Sequence, residues 1–495
     1  MKNMKKLLSL LLCVAMCMSM MVGCGNKDAA TKDETAPATE MEEDAATDAT
    51  ETDASATASD EPVTIKLGIW PEDTLTDDIA MHEGFVEKMK ELHPNVECVP
   101  AYYKYATDTF MPMVEAGNVP TIFESWFTEP QKLIKAGAVA DITDELEARG
   151  WIDKMNPSIR ELLSDENGRI YGLPRDGYAL GMMLNVELFE EAGLVDADGY
   201  PIYPKTWDEF AETAKTIKDK TGSAGFCLLA KDNAGGWHFS NIAWGFGADL
   251  CTDNGDGTYT SNLDSDEAIA AMEYVKSLKW DYDVLTADPS NEDWGTGFTQ
   301  LGTGGAAMYI GANDAVNQPT QANGLPVDKL ALCPIPAGPG GQFSLMGGTP
   351  YMFSKDATEE EINAALDYLE IMGKAPVATE DAIAGMEADA KTKAEAGCPV
   401  LPKFPCWTDP DFLAADEKVV EECGNVDMKM YQSYYDATSS AGLRSEEDAP
   451  GTVQDMYGEL TKVLQAVTTD KDADVAALMK TANDNYQAIL DNATK

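Results

Sequence analysis

The stretch from Gly172 to Phe210 constrains the fold most, because it predicts several elements and their ends in a fixed order. Its first part, Gly172 to Asp176, contains Pro174, which fixes φ and removes a backbone donor. Proline also disfavours helix in the residue before it, so we predict a chain reversal or a crossover here. The apolar run Ala179–Leu184 then predicts a strand, and Asn185 is suited to cap the helix that follows.

Two helices follow this strand. The first spans residues 186–192 and is expected to end at Gly193, because glycine adopts the left-handed conformation that closes helices. Thr206 is suited to cap the second helix, which is amphipathic. Trp207 opens the apolar face of this second helix, and we assign it to core packing.

The order of G-L-P, a strand ending in Asn, a short helix ending in A-G-L and then P-K-T-W-D-E-F resembles one protein family. It is similar to the central segment of family 1 extracellular solute-binding proteins, the sugar-capturing subunits of bacterial ABC importers. Further resemblance is carried by NVPTIFESWFTEPQKLIKAGAVADIT, by GTGGAAMYIGAND at 302–314 and by PIPAGPGGQFSLMGGTPYMFSKDA at 334–357. Thr121 stands where the family usually has Asp.

The resemblance implies an α/β, two-lobed, type II periplasmic-binding-protein-like fold. Each lobe would be a mixed, mainly parallel sheet flanked by helices, and hinge crossovers would join the lobes. The implied first lobe is 62–175 with 349–400, and the second is 176–348 with 401–495. The last helices, from Gly458, would pack on the second lobe, and residues 376–455 match the family least, which is consistent with a substrate-specific insertion.

The residues themselves predict the same class of fold. Strands at 63–70, 96–99 and 120–125 alternate with helices, which indicates a parallel sheet covered on both faces. Asp77 or Asp78 is suited to cap the first of these helices. Asp266 to Leu278 predicts a later amphipathic helix.

The N-terminus predicts export. Three lysines precede an apolar stretch that is too short for a typical transmembrane helix, so residues 1–23 are expected to be a signal peptide. Met21-Val22-Gly23-Cys24 resembles the lipobox of bacterial lipoproteins, which implies that Cys24 is acylated, for example with palmitate. Residues 24–61 then form a lipid anchor and an acidic tether that lacks large apolar side chains and is expected to be disordered. The alternative is an ordinary signal peptide with an incidental cysteine.

Charge and composition exclude some partners. The formal net charge is −50, so long-range repulsion argues against nucleic acid and against an anionic membrane surface. The charge therefore leaves the lipid anchor as the expected contact with the membrane. The lipobox resemblance implies a location on the outer face of the cell membrane, which we expect to be that of a Gram-positive bacterium. The family resemblance implies a protein, expected to be a monomer, that binds a sugar or oligosaccharide and docks on the permease subunits of an ABC importer.

Metal and cofactor sites are not predicted. The sequence has no Cys/His spacing typical of zinc, and Asp253–Gly257 fails the calcium-loop pattern, so a hairpin turn before Tyr259 is expected instead. No cofactor motif is matched. Seven cysteines remain after Cys24, of which Cys398 and Cys406 are near enough in sequence to bridge a loop; the pairing stays open among Cys98, Cys227, Cys251, Cys333, Cys398, Cys406 and Cys423.

Tryptophans at predicted strand ends suggest a carbohydrate site. Ligands of open α/β sheets sit beyond the carboxyl ends of the strands, and Trp70 and Trp126 each follow such a strand. Indole faces stack on the C–H faces of sugars, whereas hydroxyl groups need polar partners. Arg175 and Asp176, at the crossover, are candidates for those polar contacts, although Asp176 is equally consistent with a turn.

The second lobe contributes its own candidates. Trp237, Trp244 and Asn313 are predicted to contact the ligand, and Gly347 and Gly348 would give access to the backbone. Each tryptophan is as consistent with core packing as with ligand contact, because Trp is highly buried on average. Trp151, like the helix-opening tryptophan above, is assigned to packing, and His238 is as consistent with a surface position as with a ligand one.

Catalysis is not predicted. The sequence lacks G-x-S-x-G and any clear nucleophile–histidine arrangement. A glycosidase needs only two carboxylates, so a surface glycoside hydrolase or lyase stays as an alternative. A second alternative keeps the fold and binds a solute other than sugar.

Overall fold

The computed structural model describes residues 61–107, 109–438, 443–444 and 451–493. The predicted signal peptide, Cys24 and all but the last residue of the predicted tether lie outside the described residues. The described residues form a single compact unit.

Twelve strands form the sheets of the described residues. In chain order they are β1 Val63–Leu67, β2 Val96–Pro100, β3 Ile122–Glu124, β4 Gly172–Ala179, β5 Gly181–Asn185, β6 Ala224–Cys227, β7 Cys251–Asp253, β8 Tyr259–Ser261, β9 Ala306–Gly311, β10 Leu330–Cys333, β11 Ser344–Phe353 and β12 Leu443–Arg444.

Sixteen α-helices connect and cover these strands in the described part of the chain. They are α1 Thr76–Leu92, α2 Phe110–Glu115, α3 Pro130–Lys135, α4 Thr143–Ala148, α5 Pro157–Leu162, α6 Val186–Ala192, α7 Trp207–Thr221, α8 Ala234–Phe246, α9 Asp266–Trp280, α10 Trp294–Gly302, α11 Glu359–Ile371, α12 Glu380–Glu395, α13 Pro410–Cys423, α14 Gln432–Thr438, α15 Val453–Thr469 and α16 Val475–Ala493.

The first sheet has the strand order β12-β11-β3-β1-β2, and β4 also pairs with β11. Strand β1 is parallel to β2 and β3, whereas β11 is antiparallel to both β3 and β4. Strands β1, β3 and β4 therefore point the same way, and their carboxyl ends meet at one edge. A buried cluster that includes Ile65, Phe123 and Leu366 covers this sheet and defines the first lobe.

The second sheet has the order β10-β5-β9-β6. Strands β6 and β9 are parallel, but β5 is antiparallel to β9 and β10, so this sheet is more antiparallel than the sequence suggested. Strand β5 follows β4 directly along the chain, but the two strands belong to different sheets. Successive residues of β5 point to opposite faces of the sheet and pack in two different buried clusters. Met182 and Leu184 belong to one cluster, and Met183 belongs to the other. Together these two clusters define the second lobe.

Three of the connections between the lobes are seen in the described part of the chain. The first is the step from β4 to β5 at Leu180, and the second runs from β10 to β11. The third, residues 398–409, is called the strap here. On the second lobe, the carbonyl of Pro402 accepts hydrogen bonds from Asn313 Nδ2 and Tyr435 Oη, both at 2.8 Å. On the first lobe, Asn156 donates from Nδ2 to Pro405 O and from its backbone N to Cys406 O, both at 2.9 Å.

The strap also shows where the predicted lobe boundaries differ from the packing. Cys406 and Trp407 lie in the buried cluster of the first lobe, although the prediction placed residues 401–495 in the second. Helices α15 and α16, by contrast, pack in the second-lobe cluster through residues such as Leu460 and Tyr486, as predicted for the closing helices.

Local predictions about helix ends are confirmed where the chain itself supplies the cap. Asn185 accepts a hydrogen bond from Leu188 N, Gly193 is left-handed with φ 73°, and Thr206 accepts from Glu209 N. The prediction of a cap at Asp77 or Asp78 is wrong, because α1 begins at Thr76 and the residue at its N-cap position is Leu75.

The segment Gly172–Asp176 is not a chain reversal, because it forms the first part of β4. Pro174 is tolerated at a β-bulge, where the register with β11 shifts between Thr349 and Pro350. The crossover itself follows at Leu180. The turn predicted at Asp253–Gly257 is confirmed, since β7 and β8 form an antiparallel hairpin around it.

The structure also answers part of the cysteine question. Cys398 and Cys406 are buried and have free thiols, so they do not bridge the loop between them. The thiols of the other described cysteines, Cys98, Cys227, Cys251, Cys333 and Cys423, are also free.

Candidate ligand cleft

The carboxyl-end edges of the two sheets meet at the crossover from β4 to β5, at Leu180. In the first lobe, the edge is formed by the carboxyl ends of β1, β3 and β4. In the second lobe, β6 and β9 end at the matching edge, and Gly311 at the end of β9 pairs with Gly181. Residues 178–180 join these two edges, so a cleft between the lobes lies beyond the strand ends, where ligands of α/β proteins bind.

The first-lobe wall contains a network centred on Arg175. Its guanidinium contacts Glu124 Oε2 at 2.9 Å and Asp176 Oδ2 at 2.6 Å, and it lies 3.4 Å from Thr349 Oγ1. Asp176 Oδ1 accepts a hydrogen bond from the backbone N of Thr349. The two carboxylates raise the pKa of Arg175 against the effect of burial. The predicted pair Arg175 and Asp176 therefore lies at the cleft, with both side chains half-buried and already bonded.

The second-lobe wall contains a small cavity lined by aromatic rings. Tyr178, Trp237, Trp294 and Phe298 line it together with Asp314. The rings of Tyr178 and Trp237 are nearly perpendicular with centroids 6.3 Å apart, and Trp294 meets Phe298 edge-on at 4.8 Å. The volume of the cavity is about 50 Å³. Pockets for whole small molecules measure about 300–1,000 Å³, so in this form the cavity admits a substituent rather than a sugar ring.

Asp314 is the charged group of this cavity. It follows the carboxyl end of β9 and keeps access to solvent through the cleft, while protein surrounds it on its other sides. Burial and the negative charge of Asp176 raise the pKa of Asp314 to about 7, and Arg175 opposes the rise. Because Asp314 is exposed on the side that faces the cleft, water limits this rise, which still moves the pKa of Asp314 from the usual acidic range toward neutral pH.

Two of the predicted tryptophans lie on the first-lobe side. Trp126 is 39% exposed and stands edge-on to Tyr105, with ring centroids 5.4 Å apart. Trp70 is half-buried and packs against His82. Both follow strands whose carboxyl ends form the cleft edge, so their positions are compatible with the predicted ligand contacts.

Other predicted site residues are structural in this form. Trp244 is 1% exposed and belongs to the second-lobe core. Asn313 is buried, where its amide binds the strap and its carbonyl accepts a hydrogen bond from Tyr434 Oη at 3.1 Å. His238 is fully buried, and burial lowers its pKa to about 3. It therefore lies neither at the surface nor at a position that a ligand can reach, the two alternatives that the sequence left open. Trp151 and Trp207 are core residues, as predicted.

Gly347 and Gly348 are buried in β11 and do not offer open backbone. A Cβ atom at Gly347 would collide with the hydroxyl of Tyr178, and one at Gly348 would lie 2.5 Å from Asp176 O and 2.6 Å from the Phe127 ring. These glycines therefore let β4 and its side chains approach β11. They shape the cleft by placing Tyr178 and Asp176 rather than by binding a ligand.

A hydrogen-bonded bridge links the lobes at the rim of the cleft. Gln454 Nε2, in the first turn of α15, donates to Thr128 Oγ1 of the first lobe at 3.1 Å. Gln454 Oε1 accepts from Asn233 Nδ2 at 3.0 Å, and Asn233 stands at the N-terminus of α8. Thr128 and Asn233 each follow the carboxyl end of a strand, so the bridge spans the opening.

Sequence reasoning missed four side chains that line the cavity: Tyr178, Trp294, Phe298 and Asp314. Trp294 is 46% exposed and follows Asp293, which caps α10 through a capping box. The Asp-Trp pair at a helix start was therefore the one signal in the sequence that could have indicated an exposed tryptophan. Within the described ranges, no group of three or more His, Cys, Asp or Glu side chains is arranged to hold a metal ion. Nor does any helix there have the length and apolar character to cross a membrane.

Comparison with known proteins agrees with this geometry. Residues 73–378, more than half of the chain, match the family model described as bacterial extracellular solute-binding protein. The chain belongs to this family. The match ends just before the helical segment α12–α14.

Two curated relatives of this solute-binding protein match part of its length. A binding protein of Brucella abortus is 31% identical over 235 residues, which are 46% of this chain and 52% of the relative. The diacetylchitobiose-binding protein DasA of Streptomyces coelicolor is 28% identical over 181 residues, 36% of this chain and 38% of DasA. The chain thus spans about half, or less, of the length of these curated relatives.

Solved structures extend the similarity to the whole fold. A solute-binding protein of an ABC transporter from Thermotoga lettingae, bound to α-D-tagatose, has a TM-score of 0.65 at 16% identity and covers 87% of this chain and all of its own. UgpB of Mycobacterium tuberculosis, in complex with glycerophosphocholine, also has a TM-score of 0.65 at 16% identity, covering 87% of this chain and 98% of its own. At this identity they show the two-lobed fold alone.

Proposed function

We propose that this solute-binding protein captures a carbohydrate between its two lobes and delivers it to the permease subunits of an ABC importer. The observation that carries the proposal is the cleft itself, in which exposed Trp126 on one lobe and Trp294 on the other stand beyond the strand ends. Indole rings on both walls suit the C–H faces of a sugar, and Arg175 with its carboxylate partners offers hydrogen bonds to hydroxyl groups.

Ligand capture requires the lobes to move apart. The cavity of about 50 Å³ is too small for a sugar, and the bridge from Gln454 to Thr128 closes the rim. Opening about the three connections would expose the two walls, and a ligand that contacts both would shift the population back toward closure. No catalytic group is required for this cycle, and the protein acts as a binder rather than an enzyme.

The carbohydrate class draws support from relatives. DasA is named for binding diacetylchitobiose, and the Thermotoga protein holds tagatose. UgpB, with the same fold, holds glycerophosphocholine, so a solute other than a sugar is the second candidate. Attachment by an acylated Cys24, the acidic tether and the monomeric state belong to the same proposal. So does the division into lobes at 62–175 with 349–400 and 176–348 with 401–495, except that Cys406 and Trp407 pack with the first lobe.

A thermal-shift screen of the full chain against mono- and oligosaccharides tests the function, with each hit checked for turnover. A ligand present at 100 times its Kd stabilises the folded state by about 2.7 kcal/mol. The proposal requires a clear shift with the sugar recovered intact, and the shift should shrink in Trp126→Ala but persist in Trp151→Phe, a core control. Products in the hit mixtures would instead favour a glycoside hydrolase or lyase.

Membrane attachment has a separate test. Expression of the full chain and of Cys24→Ser in a Gram-positive host, followed by fractionation, should retain the first at the membrane and release the second to the medium. Equal retention of both proteins would contradict attachment through Cys24.

A further inference from the structure

The small cavity in the second-lobe wall has a chemistry of its own. Its lining combines the rings of Tyr178, Trp237, Trp294 and Phe298 with a single carboxyl group, that of Asp314. Aromatic faces carry negative electrostatic potential, and a cation within about 6 Å of a ring centroid is attracted to them. A carboxylate at the mouth of an aromatic-lined cavity is therefore suited to a small positive group.

The size of the cavity supports the same reading. A volume of about 50 Å³ excludes a sugar ring but admits a group comparable to one or a few water molecules. Alternative occupants fit less well, since an anionic substituent would meet Asp314 and a bare hydroxyl group would leave most of the ring faces without a partner.

The nearby charges leave Asp314 available. Arg175, the closest cation of the first-lobe wall, already contacts both Glu124 and Asp176. The groups that act electrostatically on Asp314 are Asp176 and Arg175, while the hydroxyls of Tyr178 and Tyr434 feel its charge. Within the described part of the chain, no lysine or arginine forms an ion pair with Asp314 that would have to be broken by a ligand.

We propose that this cavity binds an ammonium group of the ligand, held between the rings of Trp237 and Trp294 and the carboxylate of Asp314. The inference rests on the proposed function, because it assigns a substituent to the solute that the cleft captures. An amino sugar and a small ammonium compound share this chemistry, and the experiment below separates the two sources.

Proton linkage predicts whether the affinity for the ligand rises or falls with pH. Burial and Asp176 raise the pKa of Asp314 to about 7 in the free protein. A cation stabilises the ionised carboxylate and lowers this pKa, so binding below neutral pH releases a proton. The affinity for choline, whose charge does not depend on pH, therefore rises from pH 5 to pH 8. An amino sugar, whose amine itself loses its proton slightly above neutral pH, should bind most tightly near pH 7. A neutral ligand that expels water from Asp314 has the opposite effect, because it raises the pKa and binds more weakly as the pH rises.

The experiment measures Kd by tryptophan fluorescence and calorimetry for two matched sets of ligands. The first set is the disaccharides of glucosamine, glucose and N-acetylglucosamine with one common linkage, which differ only in the substituent at carbon 2 of each ring. The second set is choline and its uncharged tert-butyl analogue. Each ligand is tested at pH 5, 7 and 8 on the full chain, on Asp314→Asn and on Asp472→Asn, which removes the same charge from an exposed loop between α15 and α16.

The expected result is that the charged member of at least one set binds about tenfold more tightly than its uncharged counterpart at pH 7, where the amine of glucosamine still carries its proton. This advantage should disappear in Asp314→Asn, remain in Asp472→Asn and decrease at pH 5. Preference within the disaccharides indicates an amino sugar, whereas preference for choline without disaccharide binding keeps the inference and contradicts the carbohydrate function.

Three results would overturn the inference. Uncharged ligands could bind as tightly as charged ones, which would leave the carbohydrate function intact. The advantage of the cation could survive in Asp314→Asn, or no ammonium compound of either set could bind at millimolar concentration.

Discussion

Replacement of Gln454 with alanine is expected to open the cleft. Gln454 Nε2 donates to Thr128 Oγ1 across the rim, and its other end is held by Asn233 within the second lobe. Of the two hydrogen bonds that Gln454 makes, only the bond to Thr128 joins the two lobes. This bond is therefore the one of the two that should break when the cleft opens. When the lobes separate, water can satisfy both groups.

The magnitude follows from that exchange. A hydrogen bond that replaces bonds to water contributes about 0.5–1.5 kcal/mol net. Loss of the bond from Gln454 to Thr128 should therefore shift the closed–open equilibrium by this amount, which is about two- to tenfold in population and, for a ligand that needs closure, in Kd. A larger loss would require contacts that the geometry does not show.

The assay compares Gln454→Ala with Gln465→Ala. Gln465 lies on the same helix, α15, and its Nε2 donates to Ala230 O at 2.8 Å, a contact inside the second lobe. Small-angle scattering of the free proteins should show a larger radius of gyration for Gln454→Ala only. Calorimetry with a ligand from the thermal-shift screen should show the two- to tenfold loss for the same variant only.

A double-mutant cycle makes the test sharper. Gln454→Ala and Thr128→Val, alone and together, should show a coupling free energy in the range of one hydrogen bond. Additive effects, an unchanged radius of gyration, or an equal response of Gln465→Ala would each refute the idea that the rim bond stabilises closure.

Three further predictions address the walls and the buried acid. Gly347→Ala should cost about 1–3 kcal/mol in denaturant unfolding, because the new methyl group displaces Tyr178, whereas Gly385→Ala in α12 meets nothing within 4 Å and should be neutral or stabilising. Trp294→Ala should weaken ligand binding with little change in melting temperature, since the side chain is 46% exposed; a large stability loss would contradict this. Burial raises the pKa of Glu129, so the wild type should lose stability as pH rises from about 4.5 through that raised pKa, and the stability difference between Glu129→Gln and wild type should grow between pH 5 and 8 in urea unfolding.

The order of elements could be predicted because each end depends on a few adjacent residues. Asn185 and Thr206 accept hydrogen bonds from amides three positions ahead, and Gly193 supplies a left-handed conformation that other residues avoid. None of these interactions needs the rest of the fold. The strand character of Gly172–Asp176 was missed because proline suits only an edge strand or a bulge, and both features of β4 depend on its pairing with β11.

Accessibility of a tryptophan could not be predicted in the same way. Trp237 and Trp244 are seven residues apart on α8, which places them on nearly the same face of the helix. They differ in depth by about 10 Å along the helix axis. Because α8 begins at the cleft, the first lines the cavity and the second lies in the core beside Arg444, 4.5 Å from its ring centroid. The sequence pattern gives the face but not the depth.

Neighbouring residues after β9 show the same limit at the scale of one position. Asn313 and Asp314 both follow the strand end, and the sequence favoured the amide as the ligand contact. The amide is instead buried against the strap, a segment that returns nearly ninety residues later. With Asn313 fixed inward, Asp314 is left facing the cleft, so the identity of the cleft residue depends on a contact that no local pattern contains.

The strong negative charge of the chain has less influence on ligand choice than this single carboxyl group. At physiological ionic strength the Debye length is about 8 Å, so most of the formal charge of −50 is screened at the cleft. What remains is the effect of nearby charges, among which Arg175 is paired with both Glu124 and Asp176. Asp314 is the nearby group whose charge changes near neutral pH, and it should therefore determine how binding depends on pH.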